Sequence, residues 1–599
     1  MSEFIINFKV NHADDINREK QWVQHFPDMK IKHINEPEFH FIAATSETLP
    51  HWENVHIESE SLWVTLAGRA FFDTDEKFKI LNSNTGITVS QLICKMYLEE
   101  GLISLESLNG SFVAFIYDSL SKKLHVVRDQ TGMFPCYIAF DSQQRPVIGS
   151  SADLVSKISG VDGYLDNTSI SEFILTGSIS APYTYYEKVR ALDPGSVTTI
   201  NVGDNISIEA SRKYFIIDYK EENSVSDWEL AEELTTALRK AVKRRSGKLM
   251  GKTAVTLSAG LDSRTILCSA DREKIIAISF YDNENKELRI ARQIAKVAGV
   301  RLVEIQRTPN HYIETAAQAV KIYGGMGAIS NNHFLGFRET FNELEVTNLL
   351  AGFYYDYLFK GLAVNINRSR IFGRNTLSEF KYCWYRPICS DLKKGKDQAV
   401  YKRWDQRYAI KNGMTKLSPL ELERARLFPL CYEPDHAETI VPMKVMQISL
   451  PSIDCDVIRV YGKIPIDLKL STIFFEKCAI LLCDKKIAKI TNINTGVSIL
   501  ANTVNRRIHS YLKMLRNFCE NRLGMRASGA WPVWRTLIRQ STLLREIWEN
   551  RHYEFSEFLI DYTGKDPYKC TYENYADSDS ELFLRYLTLK LWKENCLSK

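Results

Sequence analysis

The segment 257–264, Leu-Ser-Ala-Gly-Leu-Asp-Ser-Arg, contains the residues best suited to chemistry in this sequence. It follows an apolar run and precedes a helix expected from about Ser263. Small residues let backbone N–H groups approach an anion, and a helix N-terminus carries about half a positive charge. The hydroxyls of Ser258 and Ser263 add hydrogen-bond donors. We therefore interpret this segment, the phosphate loop, as a site for phosphate or pyrophosphate.

Asp262 is the unusual member of the phosphate loop, because a carboxylate beside bound phosphate needs a cation between them. A Mg²⁺ ion shared with the phosphates would meet that need. The loop is not a G-x-x-x-x-G-K-[ST] P-loop, since no Lys-Ser/Thr pair follows it. An Asp-Ser cap in an ordinary strand–helix turn is the alternative, and the eight residues alone leave both interpretations open.

Strands and helices alternate around the phosphate loop. Helices are expected from about residue 263 and over 287–298, and they separate apolar runs that predict strands at 253–257, 275–280 and 301–305. This alternation is typical of a parallel sheet. The polar stretch 222–233 fits a linker that leads into an amphipathic helix, and the last 200 residues look largely helical.

The first 220 residues have a different pattern, with short strands and turns. Two β-rich runs, 111–118 and 124–128, flank a polar turn and predict a hairpin. We expect an α+β domain at 1–220, an α/β domain with a parallel sheet at 221–510 and a helical extension at 511–599.

Composition excludes several classes of protein. The 599 residues include 77 Lys and Arg and 73 Asp and Glu, which gives a net charge of +4. So small a net charge does not indicate nucleic acid or membrane partners. The basic cluster at 240–248 is interpreted as a solvated helix face. The 12 cysteines include no CxxC pair, which disfavours a zinc site and indicates a reducing compartment. No stretch of 18 apolar residues occurs, so we expect a cytoplasmic protein.

The pattern Ser-x-Gly-x-Asp-Ser after a strand resembles the pyrophosphate loop of N-type ATP pyrophosphatases, and more narrowly that of the asparagine synthetase family. Ala259 replaces a usual glycine. Further segments resemble signatures of that family in the same order along the chain: 108–115, 128–137, 350–356 and 451–454. The resemblance covers residues of about 60–500. It implies a class II glutamine amidotransferase-like β-sandwich of the N-terminal nucleophile type, followed by an adenine nucleotide α-hydrolase-like synthetase domain.

The resemblance also implies roles for matching residues. Asp262 and Asp356 would hold Mg²⁺, and Leu257 and Ser279-Phe280 would flank the adenine of the co-substrate ATP. Glu287 and Ala291 lie at the second ATP signature. The full set implied for ATP is Leu257, Ser258, Gly260, Asp262, Ser263, Ser279, Phe280 and Gly352. The implied reaction adenylates a carboxylate, releases pyrophosphate and forms an amide.

Three candidate catalytic residues match the family less closely. The family lysine comes from the loop corresponding to 490–496, which contains no lysine here. Lys489 is the nearest candidate, with a solvated surface lysine as the alternative. Asp405 and Arg407 lie where family members carry acid/base and substrate groups, with a helix-surface ion pair as the alternative.

Four further positions depart from the family pattern. Ser2 stands where glutamine-hydrolysing members expose an N-terminal Cys. Either Ser2 acts as the nucleophile in place of that Cys, or the domain has no nucleophile. Ala67 replaces the Asn of the oxyanion hole, a loss that typically costs about a hundredfold in rate. Phe353 replaces an acid or tyrosine, and Tyr357 replaces a Glu. We therefore expect the first domain to be a glutaminase in fold only.

Three functions remain open. The first is an amide ligase, as in members that lack the Cys, such as β-lactam synthetases and lasso peptide macrolactam synthetases. It would act on a small-molecule or peptide carboxylate. The second is an asparagine synthase that uses glutamine or free ammonia, and the third is a non-catalytic nucleotide-binding protein. ATP–pyrophosphate exchange with candidate carboxylates discriminates between them.

Overall fold

The computed structural model describes residues 3–597 except 9–12, 25–28, 46–54, 60, 73–76, 78–86, 363–366, 369–374, 377–391, 408–418, 427–429, 433–435, 446, 471, 503, 507, 510 and 513–531. The described chain forms two antiparallel sheets, then a parallel sheet, then C-terminal helices. This confirms the expected fold class, an α+β N-terminal part followed by an α/β part. Within the described ranges, no helix combines the length and apolar character needed to cross a bilayer.

Two antiparallel sheets make up the N-terminal part. Their strands are β1 (Glu3–Asn7), β2 (Lys30–Asn35), β3 (His40–Thr45), β4 (Val55–Ser59), β5 (Leu62–Phe72), β6 (Leu108–Asp118), β7 (Lys123–Arg128), β8 (Tyr137–Phe140), β9 (Pro146–Gly149), β10 (Arg190–Ala191), β11 (Ser196–Asn201) and β12 (Ser207–Lys213). The first sheet has the order β10-β8-β9-β1-β3-β2, and the second has the order β12-β11-β7-β6-β5-β4. The expected hairpin is the antiparallel pair β6 and β7.

Apolar side chains from both sheets fill the space between them, because alternate residues of a strand point to the same face. Phe4 of β1 and Phe115 of β6 are fully buried, with ring centroids 4.9 Å apart. The other faces of the sheets are covered by helices, which include α1 (Ala13–Val23), α2 (Val89–Glu100), α3 (Ala152–Ser159) and α4 (Asn167–Thr176). The N-terminal part is therefore a layered sandwich.

Parallel strands form the core of the second half. They are β13 (Lys252–Thr256), β14 (Ile275–Tyr281), β15 (Leu302–Gln306), β16 (Val346–Leu350) and β19 (Ile448–Ser449), in the order β15-β14-β13-β16-β19. The three strands expected from apolar runs are confirmed to within one residue at each end. A separate small hairpin joins β17 (Asn367–Arg368) to β18 (Asn375–Thr376).

Strand order reverses beside β13, which pairs with β14 on one side and with β16 on the other. Ligands of open parallel sheets bind at such a switch point, outside the carboxyl ends of the strands. The loops that follow β13 and β16 therefore meet at the edge of the sheet where a ligand is expected.

The second half also contains helices, many of which pack against this sheet. They are α5 (Asp227–Arg245), α6 (Leu261–Ser269), α7 (Lys286–Ala298), α8 (His311–Glu314), α9 (Ala316–Tyr323), α10 (Arg338–Glu343), α11 (Tyr355–Phe359), α12 (Lys396–Arg407), α13 (Pro419–Arg426), α14 (His436–Val445), α15 (Cys455–Lys463), α16 (Ile466–Lys469), α17 (Thr472–Leu482) and α18 (Lys485–Ala488). A capping box of Ser226 and Glu229 begins α5, and the side chain of Asn285 caps the N-terminus of α7.

The C-terminal helices contact both halves of the protein. Trp592 lies against Tyr185, with ring centroids 4.2 Å apart, and its Nε1 donates to Asp153 Oδ1 at 3.0 Å. Arg585 donates to the carbonyl of Leu175 at 2.7 Å. These helices are α19 (Trp534–Gln540), α20 (Thr542–Glu549), α21 (Tyr553–Thr563), α22 (Tyr572–Ser578) and α23 (Ser580–Trp592). The expected domain boundaries remain predictions.

A buried ion-pair cluster of the second half lies at its contact with the N-terminal part. Arg244 lies 2.8 Å from Asp454, and Arg245 contacts the other oxygen of the same carboxylate. Arg245 also donates to Asn109 of β6 at 3.2 Å. Both arginines are buried. The interpretation of the basic cluster as a solvated face is therefore wrong for these two residues.

Candidate nucleotide-binding site

A cavity of about 340 Å³ lies where the loops after β13 and β16 meet. The structure brings together at its walls nearly all residues that the sequence analysis assigned to ATP and metal, namely Leu257, Ser258, Asp262, Ser263, Ser279, Phe280, Gly352 and Asp356. Gly260 lies within the phosphate loop rather than at the cavity wall. These residues come from three separate strand ends, so the parallel sheet is what places them together.

Hydrogen bonds within the phosphate loop fix its shape. The backbone N–H of Ser258 donates to the hydroxyl of Ser263 at 3.0 Å, and the N–H of Gly260 donates to the hydroxyl of Ser258 at 3.1 Å. Gly260 is the N-cap of α6, and no side chain caps this helix. Since the carboxylate of Asp262 turns away to other partners, the alternative of an Asp-Ser cap does not apply.

The loop after β16 packs directly on the phosphate loop. A Cβ at Gly352 would lie 2.8 Å from the Cβ of Asp262, so only glycine fits there without a shift. Tyr354 of the same loop has a left-handed backbone, with φ of 69°. Such a conformation costs a non-glycine residue roughly 1–2 kcal/mol. The loop is thus closely packed and strained.

One end of the cavity is apolar. The hydroxyl of Ser279 donates to the carbonyl of Leu257 at 2.5 Å, which joins the ends of β13 and β14. Phe280 packs edge-on against Phe334, with ring centroids 5.1 Å apart. Ile278, Leu288 and Ala291 line the same cavity. Flat aromatic and aliphatic walls of this kind suit an adenine ring.

Lys360 lies between the two carboxylates of the site. Its Nζ is 2.6 Å from Oδ1 and 2.8 Å from Oδ2 of Asp262, and 2.7 Å from Oδ1 of Asp356. Burial alone would lower the pKa of Lys360, but the two carboxylates outweigh burial and raise it. Burial raises the pKa of Asp262 to about 6, although Lys360 acts against this shift. Both groups therefore stay charged at neutral pH.

Oxygen donors of Asp262 and Asp356 are of the kind that Mg²⁺ prefers. The position between the two carboxylates, however, is occupied by the ammonium of Lys360, whose Nζ lies 2.6–2.8 Å from their oxygens. Within the described ranges, no group of three or more His, Cys, Asp or Glu could hold a metal ion. Lys360 thus takes the position that the sequence analysis assigned to Mg²⁺, and this geometry does not fit a resident metal ion.

Three further residues of the cavity wall had no role in the sequence analysis. Glu287, noted only for its signature, accepts a hydrogen bond from the backbone of Ala259, and burial raises its pKa. Arg307 lies 3.0 Å from Asp282 and donates to the carbonyl of His333. Burial lowers the pKa of His333 well below its usual range. Arg307 directly follows β15, and this position at a strand end could have identified it as a site residue from the sequence. No feature of the sequence identified His333.

Lys489 lies outside the cavity wall. It is the C-cap of the short helix α18, and it is exposed. The loop that follows it does reach the phosphate loop, since the N–H of Ile493 lies 3.4 Å from the carbonyl of Ala259. Arg264 also donates to the carbonyl of Ile490 at 2.9 Å. The loop is therefore adjacent to the site, and the role of Lys489 remains a prediction.

Asp405 and Arg407 lie on α12, which packs against α4 of the N-terminal part. Arg403 of α12 lies 2.8 Å from Asp166, and Trp404 Nε1 donates to Glu172 at 2.7 Å. Neither Asp405 nor Arg407 is at the cavity wall. The structure does not bring them together with the phosphate loop, and their roles remain predictions.

Ala67, at the position expected for an oxyanion-hole Asn, belongs to β5 and is fully buried in the sandwich core. Its methyl group offers no hydrogen-bond donor. Ser2 lies outside the described residues.

Comparison with known families agrees with this two-part architecture. Residues 74–215 match the family model described as a glutamine amidotransferase domain, and residues 233–415 match the one described as asparagine synthase. A solved structure of glutamine phosphoribosylpyrophosphate amidotransferase from B. subtilis, complexed with ADP and GMP, is 12% identical. The similarity covers 50% of this chain and 65% of that chain, with a TM-score of 0.26.

Similar proteins carry the name "putative asparagine synthetase [glutamine-hydrolyzing]". One from Mycobacterium bovis is 26% identical over 216 residues, which are 34% of this chain and 32% of the relative. One from Methanocaldococcus jannaschii, numbered 1, is 24% identical over 344 residues, which are 54% and 57% of the two chains. The chain thus spans about a third to somewhat over half the length of these relatives. One part of the chain is thus similar to a glutamine amidotransferase domain, and a later part is similar to asparagine synthase.

Proposed function

We propose that this protein is an ATP-dependent amide ligase that activates a carboxylate as an acyl-adenylate. The observation that carries the proposal is the convergence of the phosphate loop and the loop 351–356 on one cavity with an apolar end. An anion-binding loop at a helix N-terminus suits a polyphosphate, and the apolar end suits a base. ATP would arrive as its magnesium complex, with the metal as part of the substrate.

The proposed reaction has two steps. A carboxylate oxygen of the substrate attacks the α-phosphorus of ATP, and the bond to pyrophosphate breaks. An amine nitrogen then attacks the acyl carbon, the bond to AMP breaks and the nitrogen loses a proton. The hydroxyls of Ser258 and Ser263 and the N-terminus of α6 would stabilise the charge on the phosphates. Lys489, Asp405 and Arg407 remain candidates for the second step.

A second cavity, of about 430 Å³, lies beside the first and shares Arg307 with it. Its other wall comes from α19 and the residues beside it, namely Pro532, Val533, Thr536, Leu537, Gln540 and Ser541. We assign the acyl substrate to this cavity, because a buried guanidinium between the two spaces suits a carboxylate that must approach ATP. A small molecule or the end of a peptide fits this volume. The macrolactam or β-lactam type of ligase is therefore the form we favour.

An asparagine synthase that uses ammonia is the second candidate, and the relatives named above favour it. Glutamine is not the expected nitrogen source, because Ala67 supplies no oxyanion donor. ATP–pyrophosphate exchange tests the proposal, with aspartate and a panel of amino-carboxylates and peptides. Exchange that depends on one of these carboxylates supports a ligase. Nucleotide binding with no exchange for any of them would favour a non-catalytic protein.

A further inference from the structure

The backbone around Lys360 holds its side chain in place. Lys360 ends α11 one turn after Asp356, and Gly361 follows it with φ of +66°. A Cβ at Gly361 would lie 2.9 Å from the Cα of Leu470, so this turn is closely packed against its neighbour. The ring of Phe475 lies 5.6 Å from the ammonium. Moving the ammonium away would therefore disturb several packed residues.

The side chains of Lys360 and Asp356 differ sharply in solvent exposure. Only 8% of the Lys360 side chain is exposed, whereas 52% of Asp356 is exposed. Solvent and a ligand thus reach the site from the side of Asp356, and the ammonium lies behind the carboxylates. A metal ion that entered from solvent would meet the ammonium of Lys360, which already contacts the carboxylates of Asp262 and Asp356. Like charges at such short range repel strongly where water is scarce.

The charges lead to the same conclusion. The carboxylates of Asp262 and Asp356 bring two formal negative charges, and the single ammonium of Lys360, 2.6–2.8 Å from both, offsets one of them. The pair therefore has one net negative charge left to offer a divalent ion. Without a third carboxylate, that is a weak site for Mg²⁺ or Mn²⁺, which prefer several oxygen ligands.

We infer that Lys360 is a protein-supplied cation that takes the place of a divalent metal ion between Asp262 and Asp356. The free protein therefore binds no metal at this pair. This exclusion of metal does not rest on the proposed function.

Mn²⁺ binding to the full chain without nucleotide tests the inference. Electron paramagnetic resonance of free Mn²⁺ monitors this binding. We expect the wild type to bind no Mn²⁺ through this pair at up to about 1 mM. Lys360→Met keeps the side-chain volume but removes the charge, and it should gain one site at least tenfold tighter. Lys360→Met combined with Asp262→Asn should lose that site. Lys463→Met, which removes another ion-paired lysine, 2.5 Å from Glu233, is the matched control and should gain none.

Melting of each variant with and without Mn²⁺ provides a second measurement, because an ion that binds the folded state raises the melting temperature. Mn²⁺ should stabilise Lys360→Met and leave the wild type unchanged. The inference is overturned if the wild type binds one Mn²⁺ that Asp262→Asn removes. It is also overturned if folded Lys360→Met gains no site. Neither assay contains ATP or an acyl substrate, so failure here is distinct from failure of the ligase proposal.

Discussion

Gly352 and Asp262 come from loops that lie 90 positions apart in sequence, yet a methyl group at 352 would lie 2.8 Å from the Cβ of Asp262. This contact sets the spacing between the two loops that line the cavity at the sheet edge. Because the phosphate loop is fixed by its own hydrogen bonds, a larger residue at 352 must push the loops apart.

Gly352→Ala should therefore weaken ATP binding by about tenfold or more, equivalent to roughly 1.4 kcal/mol. Overpacking should also destabilise the fold by about 1–3 kcal/mol. Isothermal titration with ATP and chemical denaturation measure the two effects. Gly163→Ala is the matched control, since no atom lies within 4 Å of a Cβ there. Equal ATP affinity in both variants would show that the loop contact is unimportant for binding.

Asp262→Asn and Asp356→Asn should each abolish adenylation, because each removes a carboxylate from the wall of the cavity proposed to hold the magnesium complex of ATP. The expected loss is several kcal/mol of transition-state stabilisation. Pyrophosphate exchange measures it, with melting curves to establish that the fold is intact. Asp271→Asn removes a solvent-facing carboxylate whose partner is Lys274, and it should retain full exchange. Near-wild-type exchange in either site variant would refute the assignment of these residues.

The protein should release no glutamate from glutamine. Ala67 is a buried methyl group where a glutaminase needs a hydrogen-bond donor. Incubation with labelled glutamine should yield no more product than a heat-inactivated sample. A turnover near one per second, which is within the usual range for enzymes, would show that Ser2 or a thiol acts as the nucleophile.

Lys489→Met should retain pyrophosphate exchange but reduce amide formation by about a hundredfold, equivalent to roughly 2.7 kcal/mol. The reason is that the loop after Lys489 contacts the phosphate loop, so a lysine there could stabilise the oxyanion of the second step. Product formation in single turnover separates the two steps. Lys486→Met, which changes an exposed lysine of the same helix, is the control. Unchanged product formation would show that Lys489 is a surface lysine with no role in the second step.

Asp454→Asn should destabilise the protein by about 3–5 kcal/mol, because it leaves the buried Arg245 without its carboxylate and removes one of the two carboxylates that Arg244 contacts. Burial alone would raise the pKa of Asp454, but the two arginines outweigh burial and lower it. A lowered pKa stabilises the folded state above the unfolded value of about 3.9. The stability difference from the wild type should therefore be constant at neutral pH and shrink as the pH falls below about 4. Urea denaturation across this range measures it.

Local patterns in the sequence were sufficient for much of the fold. The phosphate loop and strands β13 to β15 follow from small residues and apolar runs, which act over a few neighbouring residues. The hairpin of β6 and β7 follows in the same way. Most residues assigned to ATP do line one cavity, because short loops at the carboxyl ends of parallel strands meet at one edge.

Only the tertiary structure decided which charges meet. Lys360 is four residues from Asp356 in sequence, but Asp262 is 98 residues away and reaches Lys360 only because β13 pairs with β16. Arg244 is likewise 210 residues from Asp454, and its burial could not follow from a count of charges. Sequence determined which residues could bind phosphate, since that depends on local backbone and side chains. The partner of each buried charge depends on how distant strands and helices pack, because electrostatic contacts act through space rather than along the chain.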